Sequence, residues 1–521
     1  MRQSENTAAR SRNGMVTTPH HTASEAGAKV LRRGGTAIEA VIAAGAALTV
    51  LYPHFCGLGG DAIWIVADGS GRRQTIMGIG QAAEHLPALD AIPQRGPLSA
   101  LTTAALVDSW GEALRYSSEN WQGTESLATL LADAIELAAG GFPVSQSQKH
   151  WHAFRAAEIS KWPGFEDHFV TEGIQRQPQL AYVLERIALH GHREFYEGEL
   201  AQRIANALEA AGSPIRLSDM QKTAAQMVEP ISMIYRGIEL LAPPPPSQGV
   251  TTLGIMGVLS HFDMANVDPS SAEFYHLCVE AVKQAFLDRG QIADPDFVAQ
   301  HCAELLDTLN LSSKAAEIDR ENALAWPSPY QHGDTVYLAA VDNEGRCASV
   351  LQSTYYDWGS GVLLGDTGIL WQNRGAAFSA DPMSPNVLAP GKRPFYTLNP
   401  GIGLRGGKPN LLYGTQGADG QPQTLTLLLS RLIDHGFDPL SALSAPRFLL
   451  GRTFSDTRDN LKIEASVGDE VIETLHAMGH ETIAIPALSA LAGQAGVIRL
   501  NGDGWIEGAH DPRSDGCAIG I

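Results

Sequence analysis

The chain has 521 residues, of which 44% are hydrophobic and 18% charged, which is the composition of a folded globular protein and not of a disordered or collagen-like one. Its 37 basic and 57 acidic residues give a formal net charge of −20, which opposes binding to nucleic acid or to an anionic membrane surface. From the length alone we expect two to four domains.

The cysteines and the first residues bear on the compartment in which the protein works. The cysteine count is odd and no CxxC spacing occurs, so we expect neither a disulfide framework nor a zinc site. The polar N-terminal segment lacks the apolar core of a signal peptide. We therefore expect a cytoplasmic protein with five free thiols, Cys56, Cys278, Cys302, Cys347 and Cys517.

The N-terminal part of the chain predicts helix, turn and strand in that order. Thr36 can cap an alanine-rich helix that begins at Ala37. This apolar stretch contains Glu39 and is too short to span a bilayer, so we interpret it as a buried helix. The motif CGLGGD, which ends at Asp61, then predicts a glycine-rich turn leading into a strand. Further helical patterns follow between residues 125 and 210.

The second half of the chain changes from helical to strand-like patterns. The proline run at residues 243–246 is interpreted as a rigid spacer before a helix. Another helical pattern runs from Ser271 to Gly290. After residue 335 short strand patterns dominate, and they are interrupted by a predicted helix around residues 424–436.

Pairs of histidines raise the question of a metal site. No HExxH motif occurs and the pairs lie in polar stretches, so we expect solvated loops and no bound metal. Neither GxxxxGK[ST] nor GxGxxG is formed by the glycine-rich turns, so no phosphate loop and no cofactor are expected. The pairs are His20 with His21, His150 with His152, and His190 with His192.

The segment GDTVYLAAVD places a threonine hydroxyl directly after Gly333 and Asp334, at the start of a predicted strand. Such a hydroxyl becomes a useful nucleophile when a base takes its proton, and the α-amino group of the same residue can do so if that residue begins a chain. For Thr335 this requires cleavage of the preceding peptide bond, which its own hydroxyl can start by attacking the Asp334 carbonyl. Taken alone, the segment favours the simpler interpretation that Thr335 begins a core strand.

Several further segments, taken in their order and spacing, make the chain resemble the γ-glutamyltranspeptidase superfamily of N-terminal nucleophile hydrolases over nearly its whole length. The resemblance implies an α+β fold, a four-layer αββα sandwich made from one precursor. Autocleavage before Thr335 would give a large subunit of residues 1–334 and a small subunit of residues 335–521, interlocked as one structural unit. The segments are ASEAGAKVLRRGGTAIEA, PHFCGLGGDAIWIV, PPPPSQG, EAVKQAFLDRGQIADPDF, GDTVYLAAVDNEG, WGSGVLLGDTGILWQN, GKRPFYTLNPG and DPRSDG.

The resemblance also implies roles for residues beyond the threonine. The second hydroxyl of the family, which assists the nucleophile, falls on Ser353. The two residues whose backbone N–H groups form the oxyanion hole fall on Gly417 and Ala418, and such donors are each worth about 2.7–4 kcal/mol in the transition state. A plain turn is the alternative interpretation of this glycine-rich stretch.

The chain departs from the superfamily where transpeptidases hold the charged head of a glutamyl group. Ile79 stands where the family has an arginine for the α-carboxylate, and Ala377 where it has an aspartate for the α-ammonium. Tyr355 replaces an asparagine, and Tyr396 and Thr397 replace paired serines. A buried ammonium without a carboxylate partner is costly, so we expect a γ-glutamyl donor to bind badly.

Arg374 is a charge that the superfamily pattern lacks, close to where the polar head of the substrate would lie. A guanidinium matches the planar geometry of a carboxylate, although an ordinary ion pair is the alternative interpretation. Because Tyr355 and Tyr396 would shorten the pocket, we expect a small anionic amide without an α-amine. The branch that this description most resembles is that of the oxamate amidohydrolases, which implies conversion of oxamate to oxalate and ammonia in purine degradation.

Other functions remain open at this point. A γ-glutamyl hydrolase or transferase, or an acylase for acidic acyl amides, would use the same machinery. A non-catalytic binding protein on the same scaffold would cleave itself and then only bind a ligand, or would stay uncleaved. The sequence is compatible with a homo-oligomer of the processed unit and does not define one.

Overall fold

The computed structural model of the protein describes residues 7–326, 333–452 and 458–521. Most of its strands fall into two seven-stranded antiparallel sheets. In chain order the strands are β1 (Ala9–Ser11), β2 (Met15–Thr18), β3 (Asp61–Ala67), β4 (Arg73–Gly78), β5 (Phe142–Pro143), β6 (Ile174–Gln175), β7 (Gln226–Val228), β8 (Ile231–Tyr235), β9 (Ile238–Ala242), β10 (Asp334–Val341), β11 (Cys347–Tyr355), β12 (Leu363–Leu364), β13 (Ile369–Leu370), β14 (Gly401–Arg405), β15 (Lys408–Thr415), β16 (Phe448–Leu450), β17 (Leu461–Glu464), β18 (Thr482–Ile485), β19 (Ala495–Leu500), β20 (Ile506–His510) and β21 (Cys517–Gly520).

The helices cover the outer faces of the two sheets. In chain order they are α1 (His21–Arg32), α2 (Ala37–Leu51), α3 (Leu106–Trp121), α4 (Leu127–Gly140), α5 (Gln146–Phe154), α6 (Ala156–Ile159), α7 (Phe165–His168), α8 (Pro178–His190), α9 (Glu199–Ala211), α10 (Leu217–Lys222), α11 (Gly249–Leu259), α12 (Ala272–Phe286), α13 (Cys302–Leu305), α14 (Thr308–Ala316), α15 (Gly420–Ile433), α16 (Pro439–Ser444) and α17 (Asp469–Ala477).

Side-chain alternation along the central strands explains the layered architecture. In β10, Val336 and Leu338 pack in the core beneath α1–α4 and α8, whereas Tyr337 and Ala339 pack in the core between the two sheets. Because successive strand residues point to opposite faces, a strand that is buried on both faces has no polar side. The other sheet is covered on its outer face by α11, α12 and α15. The order of layers is therefore helix, sheet, sheet, helix, as the sequence led us to expect.

Both sheets draw strands from each side of Thr335. One sheet has the order β1-β20-β19-β15-β14-β9-β8, and the other has the order β21-β2-β10-β11-β3-β4-β7. In the second sheet β10 lies between β2 and β11, so the strand that begins at Asp334 is central and not at an edge. A cut within the Asp334–Thr335 peptide bond would leave all of these ladder hydrogen bonds in place.

The early helix, the glycine-rich turn and the later strands are confirmed. The predicted buried helix is α2, which is capped by Thr36 in a capping box with Glu39 and is buried at every residue. None of the described helices is long and apolar enough to cross a bilayer. The proline run does more than space two elements, because Pro246 accepts a hydrogen bond from the backbone N–H of Tyr396 at 2.8 Å.

The expectation of solvated loops for the histidine pairs was wrong. His21, His150, His152 and His190 lie within helices, and the side chain of His20 accepts the N-terminal hydrogen bond of α1. Burial lowers the pKa of His20 to about 4 and also lowers that of His152. The polar sequence context had hidden amphipathic helices, whose period is read over a longer window than these short motifs.

Candidate active site

Thr335 lies in an irregular position of the central strand β10. Asp334 is paired with Tyr355 and Val336 with Gln352, and the register shifts between these two pairs. One residue, Thr335, therefore lies opposite two residues of β11, Ser353 and Thr354, which is the arrangement of a β-bulge in β11. Its side chain is buried, with 1% of the residue exposed.

Ser353 connects the neighbouring strand β11 to the peptide bond in front of Thr335. Its hydroxyl donates a 2.5 Å hydrogen bond to the carbonyl oxygen of Asp334, and its oxygen accepts the backbone N–H of Tyr355 at 2.7 Å. A hydroxyl that donates to a carbonyl polarises it toward nucleophilic attack. Ser353 is placed to act on the Asp334–Thr335 bond of the uncleaved chain.

The side chain of Asp334 is a buried carboxyl beside a cluster of charges. Burial is the main reason why its pKa lies well above the usual range, and the charge of Asp357 raises it further. Arg155 donates to Asp357 from Nε at 2.7 Å and from Nη2 at 3.0 Å, and Arg95 donates to it at 3.1 Å. Because both arginines are bonded to Asp357, they only partly offset the burial of Asp334.

Two residues of the site adopt a backbone conformation that side chains usually avoid. Tyr355 has φ 80° and Ala418 has φ 45°. A non-glycine residue in the left-handed region costs about 1–2 kcal/mol, so the surrounding contacts must hold both residues in place. A Cβ at Gly333 would lie 3.0 Å from the Ala418 Cβ and 3.0 Å from the Tyr355 ring, so the chain before the cleavage point fills the space between them.

Gln248 joins the two loops that carry the remaining predicted site residues. Its side-chain amide donates to the backbone oxygens of Thr397 at 2.8 Å and Ala418 at 2.9 Å, and its own N–H donates to Tyr396 at 3.0 Å. The residue is fully buried. Gly417 and Ala418 thus lie in a turn between β15 and α15 that is fixed against the Tyr396 segment.

A buried ion pair holds the same turn from the other side. Arg289 donates from Nη1 to Asp419 Oδ2 at 3.0 Å and also from Nη2 to Oδ1, while its Nε reaches Gln248 at 3.3 Å. Asp419 is fully buried and stands directly before α15. This bidentate pair limits how the Gly417–Ala418 turn can move.

Arg374 is held as a buried cation between two aromatic rings. Its Cζ lies 4.0 Å from the ring centroid of Tyr355 and 4.4 Å from that of Tyr396. The guanidinium is 0% exposed, and among the described residues none of its three nitrogens has a hydrogen-bond partner. Arg374 therefore does not form the ordinary ion pair that the sequence left open with any residue that the structure describes. A desolvated guanidinium with all its donors unused is an incomplete anion site.

Neighbouring residues fix the backbone around Arg374. Asn373 donates to the Gln94 oxygen at 2.7 Å and accepts the N–H of Tyr356 at 3.0 Å. Gly375 donates to the Ser99 oxygen at 3.1 Å. The position of Arg374 thus depends on a loop far away in sequence, which explains why its environment was not predictable from its own segment.

Asp61 is a site residue that the sequence reasoning missed. Its Oδ1 accepts the N–H groups of Gly80 and Ala105, each at 3.0 Å, and its Oδ2 accepts the hydroxyl of Tyr396 at 2.8 Å. Burial raises its pKa to about 6, against the opposing effects of Arg374 and of these hydrogen bonds. It is paired across the sheet with Ser353. The signal was present as the acidic end of CGLGGD, which was interpreted only as a turn.

The glycines of that motif allow this close approach. A Cβ at Gly60 would lie 2.4 Å from the backbone oxygen of Ser353, so a larger residue would push β11 away. Ile79, which stands where transpeptidases have an arginine, packs in the core between the sheets together with Tyr396. Ala377 packs against Tyr355 and Tyr356. Apolar side chains thus line the places where the charges of the superfamily pattern are absent.

One group of side chains outside this site has the composition of a metal site. The candidate ligand atoms of His276, Glu280 and His480 lie within 4.8 Å of one another. However, His276 Nδ1 and His480 Nε2 share a 2.8 Å hydrogen bond, and Lys283 donates to Glu280 at 2.7 Å. These atoms satisfy one another, and a neighbouring ammonium opposes a second cation.

The fold thus brings the predicted residues together from distant segments. Asp334, Thr335, Ser353 and Tyr355 meet at the bulge between β10 and β11. Arg374 lies against the Tyr355 ring, and Tyr396 lies against Arg374. Gln248 joins Thr397 and Ala418, the neighbour of Gly417, to the Tyr396 segment. The missed residues are Asp61, Gln248, Arg289 and Asp419, which lie in glycine-, proline- or charge-rich motifs that carry no chemical signature of their own.

Comparison with known proteins finds relatives over nearly the whole chain. The family model described as gamma-glutamyltranspeptidase matches residues 23–521. The chain is 41% identical to the oxamate amidohydrolase proenzyme of Klebsiella pneumoniae over 98% of this chain and 99% of that protein. It is 39% identical to a glutathione hydrolase-like proenzyme of Bacillus subtilis, over 97% of this chain and 98% of that protein.

A solved structure matches equally well. The crystal structure of cephalosporin acylase from Bacillus halodurans superposes with a TM-score of 0.91 at 30% identity, covering 100% of this chain and 98% of that one. The chain therefore belongs to the gamma-glutamyltranspeptidase family, and it is a hydrolase that acts on amide bonds.

Proposed function

We propose that the protein cleaves itself before Thr335 and then uses this residue to hydrolyse a small amide that carries a carboxylate, with oxamate as the substrate. The observation that carries the substrate class is Arg374, a fully buried guanidinium between two tyrosine rings with no hydrogen-bond partner among the described residues. A buried cation without a partner destabilises the folded state, so such a group is expected where it binds a ligand of opposite charge.

Self-cleavage would proceed by an acyl shift within one residue. Thr335 Oγ1 attacks the carbonyl carbon of Asp334, the C–N bond breaks, and the nitrogen takes up a proton to become an amine. The Ser353 hydroxyl supports this step because it donates to the carbonyl oxygen that gains negative charge. Water then hydrolyses the resulting ester, which leaves Asp334 with a carboxylate and Thr335 with a free hydroxyl. The products would be residues 1–334 and 335–521.

Turnover would repeat this chemistry on an external amide. Thr335 Oγ1 attacks the amide carbon while the α-amine of the same residue accepts the hydroxyl proton. The N–H groups of Gly417 and Ala418 would stabilise the oxyanion, and the proton passes to the leaving nitrogen as ammonia departs. Water then cleaves the ester. Overall, oxamate and water give oxalate and ammonia.

Several features favour a small substrate over a γ-glutamyl group. Tyr355 and Tyr396 close on Arg374, and Ile79 and Ala377 occupy positions where the family pattern has the charges for an amino acid head. An ammonium placed here would lose its hydration and find Arg374 as a neighbour of like charge. A carboxylate would instead gain two charge-assisted hydrogen bonds. The name of the Klebsiella relative supports the same substrate.

The names of other relatives support two alternative functions, which the experiment must distinguish from oxamate hydrolysis. One relative is named a glutathione hydrolase-like proenzyme and another an acylase proenzyme. The decisive experiment compares ammonia release from oxamate with arylamine release from a γ-glutamyl anilide, using purified processed protein. We expect kcat/KM for oxamate to be at least 10²-fold higher. Faster turnover of the anilide would favour the glutathione hydrolase function, and no turnover of either would favour an acylase or a binding protein.

A further inference from the structure

The carboxylate of Asp61 is rigidly placed at the back of the Arg374 site. It is fully buried, begins β3, and faces Ser353 across the sheet. Two backbone N–H groups hold Oδ1, at 3.0 Å each, and the Tyr396 hydroxyl holds Oδ2 at 2.8 Å. All of these partners are groups that themselves have fixed positions, so the carboxylate has no freedom to approach or leave the arginine.

Tyr396 transmits this placement to the guanidinium. Its backbone is held by Pro246 and Gln248, its hydroxyl by Asp61, and its ring centroid lies 4.4 Å from Arg374 Cζ. Tyr396 thus contacts both charged side chains. Asp61 therefore acts on Arg374 at longer range and makes no hydrogen bond to it, which leaves the N–H groups of the arginine available to a ligand.

We propose that Asp61 is a positioning and specificity residue of the Arg374 site, which fixes Tyr396 against the guanidinium and repels anions according to their charge. This inference rests on the proposed function and deepens it. Oxamate carries one negative charge, whereas its product oxalate carries two. A fixed carboxylate behind the arginine weakens the binding of the product more than that of the substrate, because Coulomb repulsion scales with the charge of the ligand. Asp61 would thus favour product release.

The ionisation state of Asp61 offers a second way to test this repulsion of anions. Its pKa is raised to about 6 by burial. The charged or titratable groups that act on it in the described part of the chain are Arg374, Tyr196 and Tyr396, and the pKa of each tyrosine is raised well above its usual value, so both stay neutral. After cleavage the α-amine of Thr335 joins them. Protonation of Asp61 below about pH 6 should therefore tighten the binding of a dianion.

Calorimetric titration of the processed enzyme with oxalate and with acetate at pH 7.5 tests the proposal without relying on turnover. In Asp61→Asn the amide oxygen can still accept from Gly80 and Ala105, and the amide nitrogen can donate to the Tyr396 oxygen, so the contact with Tyr396 is kept with its direction reversed while the charge is removed. We expect oxalate to bind at least tenfold more tightly to this variant, and acetate no more than about threefold more tightly. The control is Asp68→Asn, the same change just past the other end of β3, which should alter neither affinity.

An oxalate affinity that is unchanged or weaker in Asp61→Asn, or that changes equally in Asp68→Asn, would overturn the proposal. If the Asp61→Asn precursor does not cleave itself, the wild-type enzyme provides the test. Its affinity for oxalate should rise at least threefold from pH 7.0 to pH 5.5. This window lies below the usual α-amine pKa of about 7.7–8.0. A flat profile would refute the inference. Absence of oxamate turnover with these shifts present would instead refute the substrate assignment alone.

Discussion

The hydroxyl of Ser353 donates a 2.5 Å hydrogen bond to the carbonyl oxygen of Asp334, the residue whose peptide bond to Thr335 would have to break. The same oxygen accepts the N–H of Tyr355, which orients the hydroxyl proton toward that carbonyl. The group that sequence resemblance linked to the mature nucleophile is therefore bonded, in the intact chain, to the carbonyl that the proposed self-cleavage would attack. The geometry suggests that Ser353 serves the first reaction of the protein before it serves any substrate.

Ser353→Ala should slow self-cleavage by about 10²-fold, because one donor to the developing oxyanion is lost. Cell-free synthesis followed by denaturing electrophoresis over time measures the rate. Ser349→Ala is a matched control on the same strand. Among the described residues, the side-chain hydroxyl of Ser349 bonds only to the Tyr337 hydroxyl, at 3.0 Å. Equal rates for the two variants would show that the bond from Ser353 is structural.

Thr335→Ala should remain a single chain and release no ammonia, because both the attacking oxygen and the later α-amine are absent. Thr335→Ser keeps both groups and should cleave, although more slowly. Intact-protein mass and N-terminal sequencing report the cleavage, and far-ultraviolet circular dichroism checks the fold. Turnover by the alanine variant at the wild-type rate would be incompatible with a threonine nucleophile.

Arg374→Met should separate the function of this residue from its effect on stability. Loss of two charge-assisted hydrogen bonds should lower kcat/KM for oxamate by about 10³-fold and leave self-cleavage intact. Because a buried cation without a partner is costly, the free energy of unfolding should rise by about 1 kcal/mol or more. Urea titration measures this change.

Arg405→Met controls for the removal of an arginine in general, since Arg405 lies exposed at the end of β14. It should change neither activity nor stability by a measurable amount. A loss of stability in Arg374→Met, with oxamate turnover retained, would assign Arg374 a purely structural role.

Asp419→Asn should loosen the turn that carries Gly417 and Ala418. Breaking the buried pair with Arg289 leaves an uncompensated charge and should lower the free energy of unfolding by about 3–5 kcal/mol. The kcat for oxamate should fall more than KM changes, since the oxyanion donors act in the transition state. Glu119→Gln removes one partner of an exposed pair with Arg115 and should cost less than about 1 kcal/mol. A similar loss of unfolding free energy in both variants would contradict the stabilising role of the Arg289–Asp419 ion pair.

The pH dependence of stability offers an independent check on Asp61. Its folded pKa of about 6 exceeds the ordinary carboxyl value of 3.8, so the folded state binds this proton more tightly than the unfolded state. Stability from this group is complete below about pH 4 and is lost as the pH rises through 6. Asp61→Asn should therefore gain stability over wild type by about 2–3 kcal/mol between pH 4 and pH 7.

Asp68, which directly follows β3, should give the opposite pH dependence of stability. Hydrogen bonds from Ser70, Trp121 and Arg72 outweigh its burial and lower its pKa. Asp68→Asn should accordingly lose stability relative to wild type as the pH rises from below the lowered pKa of Asp68 to the usual carboxyl value of about 3.9, and this deficit should stay constant at higher pH. Thermal melts at several pH values compare the two variants, and parallel curves for both would show that Asp61 has an ordinary pKa.

The sequence by itself was enough to predict the layered fold and to propose Thr335 as the nucleophile. The nearly continuous apolar run in TVYLAAVD is typical of a strand buried on both faces, and the order of the motifs around it identifies the family, because both signals can be read from the linear sequence. It also singled out Arg374, Tyr355 and Tyr396 as departures from the family pattern.

Only the tertiary structure decided what these departures do. Whether Arg374 forms an ion pair or stays unpartnered depends on which segments surround it, and Asp61, Tyr355 and Tyr396 come from three different parts of the chain. The raised pKa of Asp61 has the same origin, since burial and neighbouring charge are properties of the folded environment and not of the residue. Desolvation and long-range contacts are absent from a linear pattern, which is why the chemistry of this pocket emerges only when the chain has folded.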